Sequence, residues 1–206
     1  LLLCVPLIGF GQTEYEKTYY ENGQLKTEGN YKDGEKDGLW KWYHENGQLS
    51  DELNYKDGEK DGLSKIYWEN GQLYSEGNFK EGHVDGHWKG YWENGQLREE
   101  GNYITGEHDG VFIIGTYDGL WKWYHENGQL KLEGNYKYGD FIDKTYKEYW
   151  ENGQLKSQVN VKDGEPDGLW KYYYENGQLV GERHYKEGEL ISEKCWDENG
   201  KEIDCE

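Results

Sequence analysis

The sequence predicts an all-β chain, an elongated array of antiparallel β-hairpins with about seven 24-residue units and a terminal half unit. Three observations predict it. The pentapeptide Glu-Asn-Gly-Gln-Leu begins at Glu21, Glu45, Glu69, Glu93, Glu126, Glu151 and Glu175, so successive starts lie 24, 24, 24, 33, 25 and 24 residues apart. A fixed period of this size marks one small unit stacked on its neighbours. Each period also holds two turn signals, Asn46-Gly47 and Asp57-Gly58 in the second unit, with strand-length segments between them, as in an antiparallel meander. Finally, hydrophobic residues make up only 33% of the chain even with 17% aromatic residues counted, and there are 20 Tyr and 10 Trp but no Met. Rings that bury roughly 150–250 Å² each can hold a thin sheet together without a deep aliphatic core. Function is expected from a repeated surface, not from a single catalytic pocket.

The first element, residues 1–11, is an uncharged apolar run ending Gly9-Phe10-Gly11. It is too short to span a membrane and reads as the remnant of a secretory signal peptide, the missing Met indicating a lost start. The expected location is outside the cytoplasm: periplasmic, cell-surface or secreted. Residues 12–206 form one repeat array.

Within a repeat, Asn46-Gly47 is read as a two-residue type I′ turn, with positive φ at both residues, and Asp57-Gly58 as a second of the same kind. A two-residue loop at Asn46-Gly47 pairs Lys41 with Glu52 and Trp40 with Leu53. The same arithmetic pairs Lys65 with Glu76, Lys89 with Glu100 and Lys122 with Glu133, and sets Trp88 and Trp121 opposite Gly101 and Gly134. An indole covering the opposed glycine would support that weak strand position. Alternation places Trp40, Trp42 and His44 on one face and Leu39, Lys41 and Tyr43 on the other. At two strands per unit the array would extend on the order of 70 Å. Asp37, Asp61, Asp85, Asp109, Asp118 and Asp167, each before a glycine, are read as turn residues.

Two places break the period. An irregular insert at 109–117, DGVFIIGTY, is read as a repeat shortened to one buried strand. The sixth unit opens on Asp143-Lys144-Thr145-Tyr146 in place of Asp-Gly-Leu-Trp. At the C-terminus, Cys195 and Cys205 flank the last turn, where a three-residue loop Asn199–Lys201 would set them opposite each other. They are a disulfide candidate, with two free thiols as the alternative.

The unit from Tyr31 to Leu49, with its Tyr-x-x-Gly (Tyr31 to Gly34), the Gly38 before the aromatic strand and the Asn46-Gly47 turn, resembles a MORN repeat in its bacterial variant form. The resemblance runs from Glu14 to Cys205. It implies an array of β-hairpins used as a scaffold or interaction surface. Bacterial proteins of this variant include the YwqK-like antitoxins, which implies binding and neutralising a toxin.

The candidate binding residues are Trp40, Trp42, His44, Trp68, Trp88, Trp92, Trp121, Trp123, Trp150 and Trp170. The slot of His44 and His125 holds Tyr20, Trp68, Trp92, Trp150 and Tyr174 in other units, so it reads as an aromatic platform and not as an acid–base pair. No residues are assigned to catalysis, metal or cofactor, since no Cys–His pair, phosphate loop or nucleophile elbow occurs. A formal charge of −19 repels nucleic acid and anionic membrane. The expected partner is a protein, a toxin being the specific version. A module of another class, binding envelope glycan or choline on exposed rings through cation–π attraction, is the alternative.

Overall fold

The computed structural model describes residues 12–108, 110–141, 145–162 and 164–205. The apolar leader, Asp109 and the Asp143-Lys144 pair lie outside them. Regular structure among the described residues is entirely β, and the chain divides into two units, residues 1–83 and 84–206. The first contains β1 (Thr13–Tyr19), β2 (Leu25–Lys32), β3 (Glu35–Tyr43), β4 (Leu49–Lys56), β5 (Glu59–Tyr67) and β6 (Leu73–Lys80), each antiparallel to the next. The second takes up with β7 (His83–Tyr91), β8 (Leu97–His108), β9 (Val111–Tyr124) and β10 (Leu130–Lys137). There β10 pairs with β9, with the short β11 (Asp140–Phe141) and with β12 (Tyr146–Tyr149), and β12 pairs with β13 (Leu155–Val159). A separate hairpin of β14 (Val161–Lys162) and β15 (Glu165–Pro166) follows. The unit closes with β16 (Gly168–Tyr173), β17 (Leu179–Lys186), β18 (Glu189–Trp196) and β19 (Glu202–Ile203). This is the all-β repeat array of antiparallel hairpins that the period predicts.

The two turns of a repeat differ in kind. Asp57 and Gly58 both have positive φ, 49° and 81°, as do Asp33 and Gly34 at 53° and 87°, the type I′ geometry expected. At Asn46-Gly47 only the glycine is left-handed, at 84°, which corrects the type I′ assignment made for that turn. There the Gly47 N–H donates to the His44 carbonyl at 2.9 Å and His44 N–H to the Gln48 carbonyl at 2.8 Å. Asn46 stays right-handed because its Oδ1 then accepts the Gln48 N–H at 2.9 Å, an Asx interaction that satisfies the turn from within. The loop is one residue longer than a two-residue turn, and a bulge absorbs the difference. Tyr43 pairs with Leu49 and Trp42 with Asp51, leaving Ser50 unpaired. The strand body therefore keeps the expected register, including Trp40–Leu53 and Lys41–Glu52.

A second irregularity aims the tryptophans. Between the pairs Glu28–Lys41 and Asn30–Asp37, β2 has Gly29 while β3 has Gly38, Leu39 and Trp40. Gly38 (φ 73°), like Gly62, Gly86, Gly119 and Gly168, thus serves a strand distortion, so these Asp-Gly pairs are not the turns the sequence suggests. Trp40 is 2% exposed and Trp121 is 0% exposed. Their rings lie on the glycine of the preceding strand, Gly29 and Gly101, where an added Cβ would overlap the indole. Trp121 does pair with Gly134, but its ring turns the other way. The donor explains the choice: Trp121 Nε1 reaches the Asn102 carbonyl at 2.9 Å, and Trp40 Nε1 the Asn30 carbonyl at 2.8 Å. A buried indole N–H needs such an acceptor.

On the opposite face, the Lys–Glu register holds at Lys17–Glu28, Lys41–Glu52, Lys65–Glu76, Lys89–Glu100, Lys122–Glu133 and Lys171–Glu182. The ion pairs are half-solvated, as in Lys41–Glu52 at 3.5 Å. Glu133 is instead taken by Lys147 at 3.1 Å. Lys122→Ala is therefore expected to cost under about 1 kcal/mol in a chemical denaturation curve. A larger loss would place Lys122 in the packed face.

The insert lengthens both strands of one hairpin. Tyr103 pairs with Tyr117, Glu107 with Phe112 and His108 with Val111. Ile113 is 8% exposed, but Phe112 and Ile114 are 65% and 51% exposed, so the fully buried strand is not found. Strand alternation sends one residue inward and its neighbours out. At the C-terminus, Asp197 N–H bonds the Lys201 carbonyl at 2.9 Å, which repeats the Asn46-Gly47 loop form and places the three-residue loop at residues 198–200, one position before the expected Asn199–Lys201. Cys195 consequently pairs with Ile203, and Cys205 reaches back to it as a disulfide with a Cα–Cα separation of 5.3 Å.

Candidate interaction surface

The Glu, Asn, Gly and Gln of the pentapeptide serve stacking as well as turning. Asn46 Nδ2 donates to the Glu69 carbonyl of the next turn at 2.9 Å, and Asn22, Asn94, Asn127 and Asn152 do the same to Glu45, Glu126, Glu151 and Glu175. The Gln24 side chain lies against Gly47, 3.0 Å from where a Cβ would stand, and Gln129 against Gly153. At Gly47, Gly71, Gly128, Gly153 and Gly177 glycine is thus needed twice, for φ and for clearance from the Gln of the turn before, whereas a Cβ at Gly23 in the first turn would meet nothing. A sequence reading confined to turn type misses this second role. The unvarying Gln after Gly, which turn geometry alone does not require, was the signal for it.

The aromatic slot is a staple between repeats. Tyr20 Oη donates to the Tyr43 carbonyl at 2.7 Å, Trp92 Nε1 to Tyr124 at 3.2 Å, Trp150 Nε1 to Tyr173 at 3.1 Å and Tyr174 Oη to Trp196 at 3.0 Å. His44 and His125 place Nε2 at 3.1 and 3.0 Å from the Tyr67 and Tyr149 carbonyls, which selects the tautomer protonated at Nε2. Rings with a donor at the rim interchange there as His, Tyr and Trp, with Trp68 as the exception, its buried Nε1 having no hydrogen-bond partner among the described residues.

The candidate binding residues divide by accessibility. Trp42, His44, Trp68, Trp88, Trp92, Trp123, Trp150 and Trp170 are half-buried, whereas Trp40 and Trp121 are closed to a ligand. That corrects the assignment of these two, whose donors and faces are spent on the preceding strand. In the first unit the Lys36 ammonium sits over Trp40, Trp42 and Tyr55 at 4.6, 4.7 and 5.1 Å from the ring centres. Burial pushes its pKa down. The chain's own lysine thus fills the place a ligand cation would take. In the second unit Tyr117 packs among Tyr103, Trp121, Trp123 and Tyr136.

Between successive Asn-Gly turns the surface opens. A recess of about 370 Å³ is lined by Trp92, Tyr124, His125, Glu126, Asn127, Lys131 and Glu151. A second, of about 400 Å³, lies among Tyr174, Glu175, Asn176 and Glu198. Rings form the wall and turn carboxylates the rim, a chemistry suited to a cationic side chain.

On the other face tyrosines hydrogen-bond the cross-strand glutamates, Tyr43 to Glu28 at 2.7 Å, Tyr67 to Glu52 at 2.9 Å and Tyr124 to Glu100 at 2.7 Å. Burial, with the bond to Glu52, pushes the Tyr67 hydroxyl up to about 12. Glu28 also accepts from Tyr15, and the bonds from Tyr15 and Tyr43 hold its carboxyl down at about 2. An unfolded glutamate titrates near about 4.3, so folding favours the ionised form. Its stabilisation is complete above that value and disappears as pH falls towards the folded pKa. Wild type should therefore lose stability on acidification from about pH 5 to about pH 3 more steeply than Glu28→Gln. Equal slopes in urea titrations would remove Glu28 from the account.

Comparison with known proteins agrees with this geometry. No curated protein matches the chain. The family described as MORN repeat variant matches at residues 15–33, 36–57, 60–81, 84–104, 117–138, 142–163 and 166–187, passing over the lengthened part of the β8–β9 hairpin. Repeats of this family are a non-catalytic binding module. With seven matches covering well over half of its length, the chain belongs to the MORN repeat variant family.

Proposed function

We propose that this chain is a non-enzymatic interaction protein that engages a basic protein partner along the edge where its Asn-Gly turns stack. The observation that carries this reading is the recess beside Trp92 and His125, with Glu126 and Glu151 at its rim. It combines ring faces with carboxylates on a chain of net charge −19, and such a field draws in cationic partners and speeds their encounter. An antitoxin or immunity role, with a basic toxin as partner, is the specific version. Export is supported by the apolar residues 1–10 and the Cys195–Cys205 disulfide. The glycan or choline reading has less support, since Lys36 and Tyr117 occupy two of the ring clusters such a ligand would need.

Affinity capture from the native host tests the proposal, using wild type beside the double variant Glu126→Lys, Glu151→Lys. One stoichiometric basic protein is expected with wild type and lost from the variant. Capture that ignores the charge reversal, or recovers only envelope polymer, overturns it.

A further inference from the structure

Asn-Gly sequences deamidate readily when the asparagine side chain is mobile. The glycine nitrogen gives up its proton and bonds to the asparagine Cγ, and the side-chain nitrogen takes a proton and leaves as ammonia. Water then opens the resulting imide, leaving aspartate or an isoaspartyl linkage. The chain carries this dipeptide in all seven pentapeptides and once more at Asn199-Gly200.

Backbone geometry does not separate the last of these from the others. Gly200 N–H donates to the Asp197 carbonyl at 2.9 Å, as Gly47 and Gly128 do to His44 and His125. Its φ of 79° matches 84° at Gly47 and 83° at Gly128. The side chains differ. Asn46 is held at both ends, Oδ1 by the Gln48 N–H and Nδ2 by the Glu69 carbonyl, each at 2.9 Å. Asn127 is held likewise, by the Gln129 N–H at 2.9 Å and the Glu151 carbonyl at 2.7 Å. In the last turn Asp197 takes over the acceptor's place, its Oδ1 receiving both the Asn199 and Lys201 N–H groups at 2.9 Å. Asn199 is exposed, and its side-chain amide has no hydrogen bond among the described residues.

We infer that Asn199, inside the Cys195–Cys205 loop, is the leading deamidation site of the folded chain, and that stacking protects the repeat asparagines whose Nδ2 is held by the next turn, Asn22, Asn46, Asn94, Asn127 and Asn152. To bring Cγ to the glycine nitrogen, Asn46 or Asn127 must break both side-chain tethers, whereas Asn199 breaks neither. Two net hydrogen bonds correspond to a rate difference of about tenfold or more. An isoaspartyl linkage there lengthens the backbone of a loop already closed by the disulfide, so the short β18–β19 pairing would have to readjust.

The test is to age the intact oxidised protein at mildly alkaline pH, folded and in denaturing urea, and to follow each Asn-Gly peptide by mass spectrometry with isoaspartyl detection. In the folded chain Asn199 is expected to react about tenfold or more faster than Asn46 and Asn127, and in urea the three rates should converge. Equal rates in the folded chain overturn the inference. A lead for Asn199 that persists undiminished in urea also overturns it, because local sequence would then be the cause.

Discussion

Trp121→Ala is expected to cost about 3–5 kcal/mol, the range for a large aromatic ring removed from a filled site. The ring is 0% exposed, stacks on Trp123 with centres 5.7 Å apart, and packs against Tyr103 and Tyr117 at 4.9 and 4.2 Å. Its loss would open a void among three rings and uncover the backbone at Gly101. It would also leave the Asn102 carbonyl without the indole donor. A repeat array distributes stability over neighbouring interfaces, so the damage should be greatest around β8, β9 and β10. Hydrogen exchange with denaturant melts measures both the size and the place of the loss. A cost under about 1 kcal/mol would mean that the ring is not a structural member.

Gly101→Ala carries the second largest expectation, a loss of about 1–3 kcal/mol from overpacking. The backbone at Gly101 has no positive φ, so alanine is not strained there by conformation. Its Cβ would instead run into the five-membered ring of Trp121. Because the clash needs both partners, the two substitutions should be far from additive. In the Trp121→Ala background the added methyl has room, and Gly101→Ala should then be close to neutral. Additive losses in that double-mutant cycle would separate the two residues and return the ring to Gly134, its partner across the hairpin.

That glycine marks where sequence reasoning stopped short. Register was legible, because a period-2 pattern with Lys and Glu at matching places tolerates no one-residue slip. Trp121 opposite Gly134 was correctly derived, but a strand in a sheet has two neighbours and the pattern within one hairpin names only one. The turn at Asn46-Gly47 failed for a related reason. Asn-Gly commonly signals type I′, yet the neighbouring turn's carbonyl and the Gln48 N–H hold the Asn side chain in a different loop. In the insert, the run Val111–Ile114 read as buried because aliphatic residues usually are. Pairing with a lengthened β8 decided otherwise.

The sequence by itself determined the all-β repeat architecture, the strand register in the body of the seven Glu-Asn-Gly-Gln-Leu hairpins, though not of the C-terminal one, and the acidic, ring-rich character of the chain. Each follows from period, alternation and composition, which are local properties of a chain. Only the tertiary structure decided which neighbour a ring covers, that Lys36 fills its own aromatic cluster, and that Asn and Gln side chains such as Asn46 and Gln24 serve the turn stacked beside them. These are contacts between units whose distance in space the sequence does not encode directly. Where a donor can satisfy itself on either side, the carbonyl that folding brings within reach makes the choice.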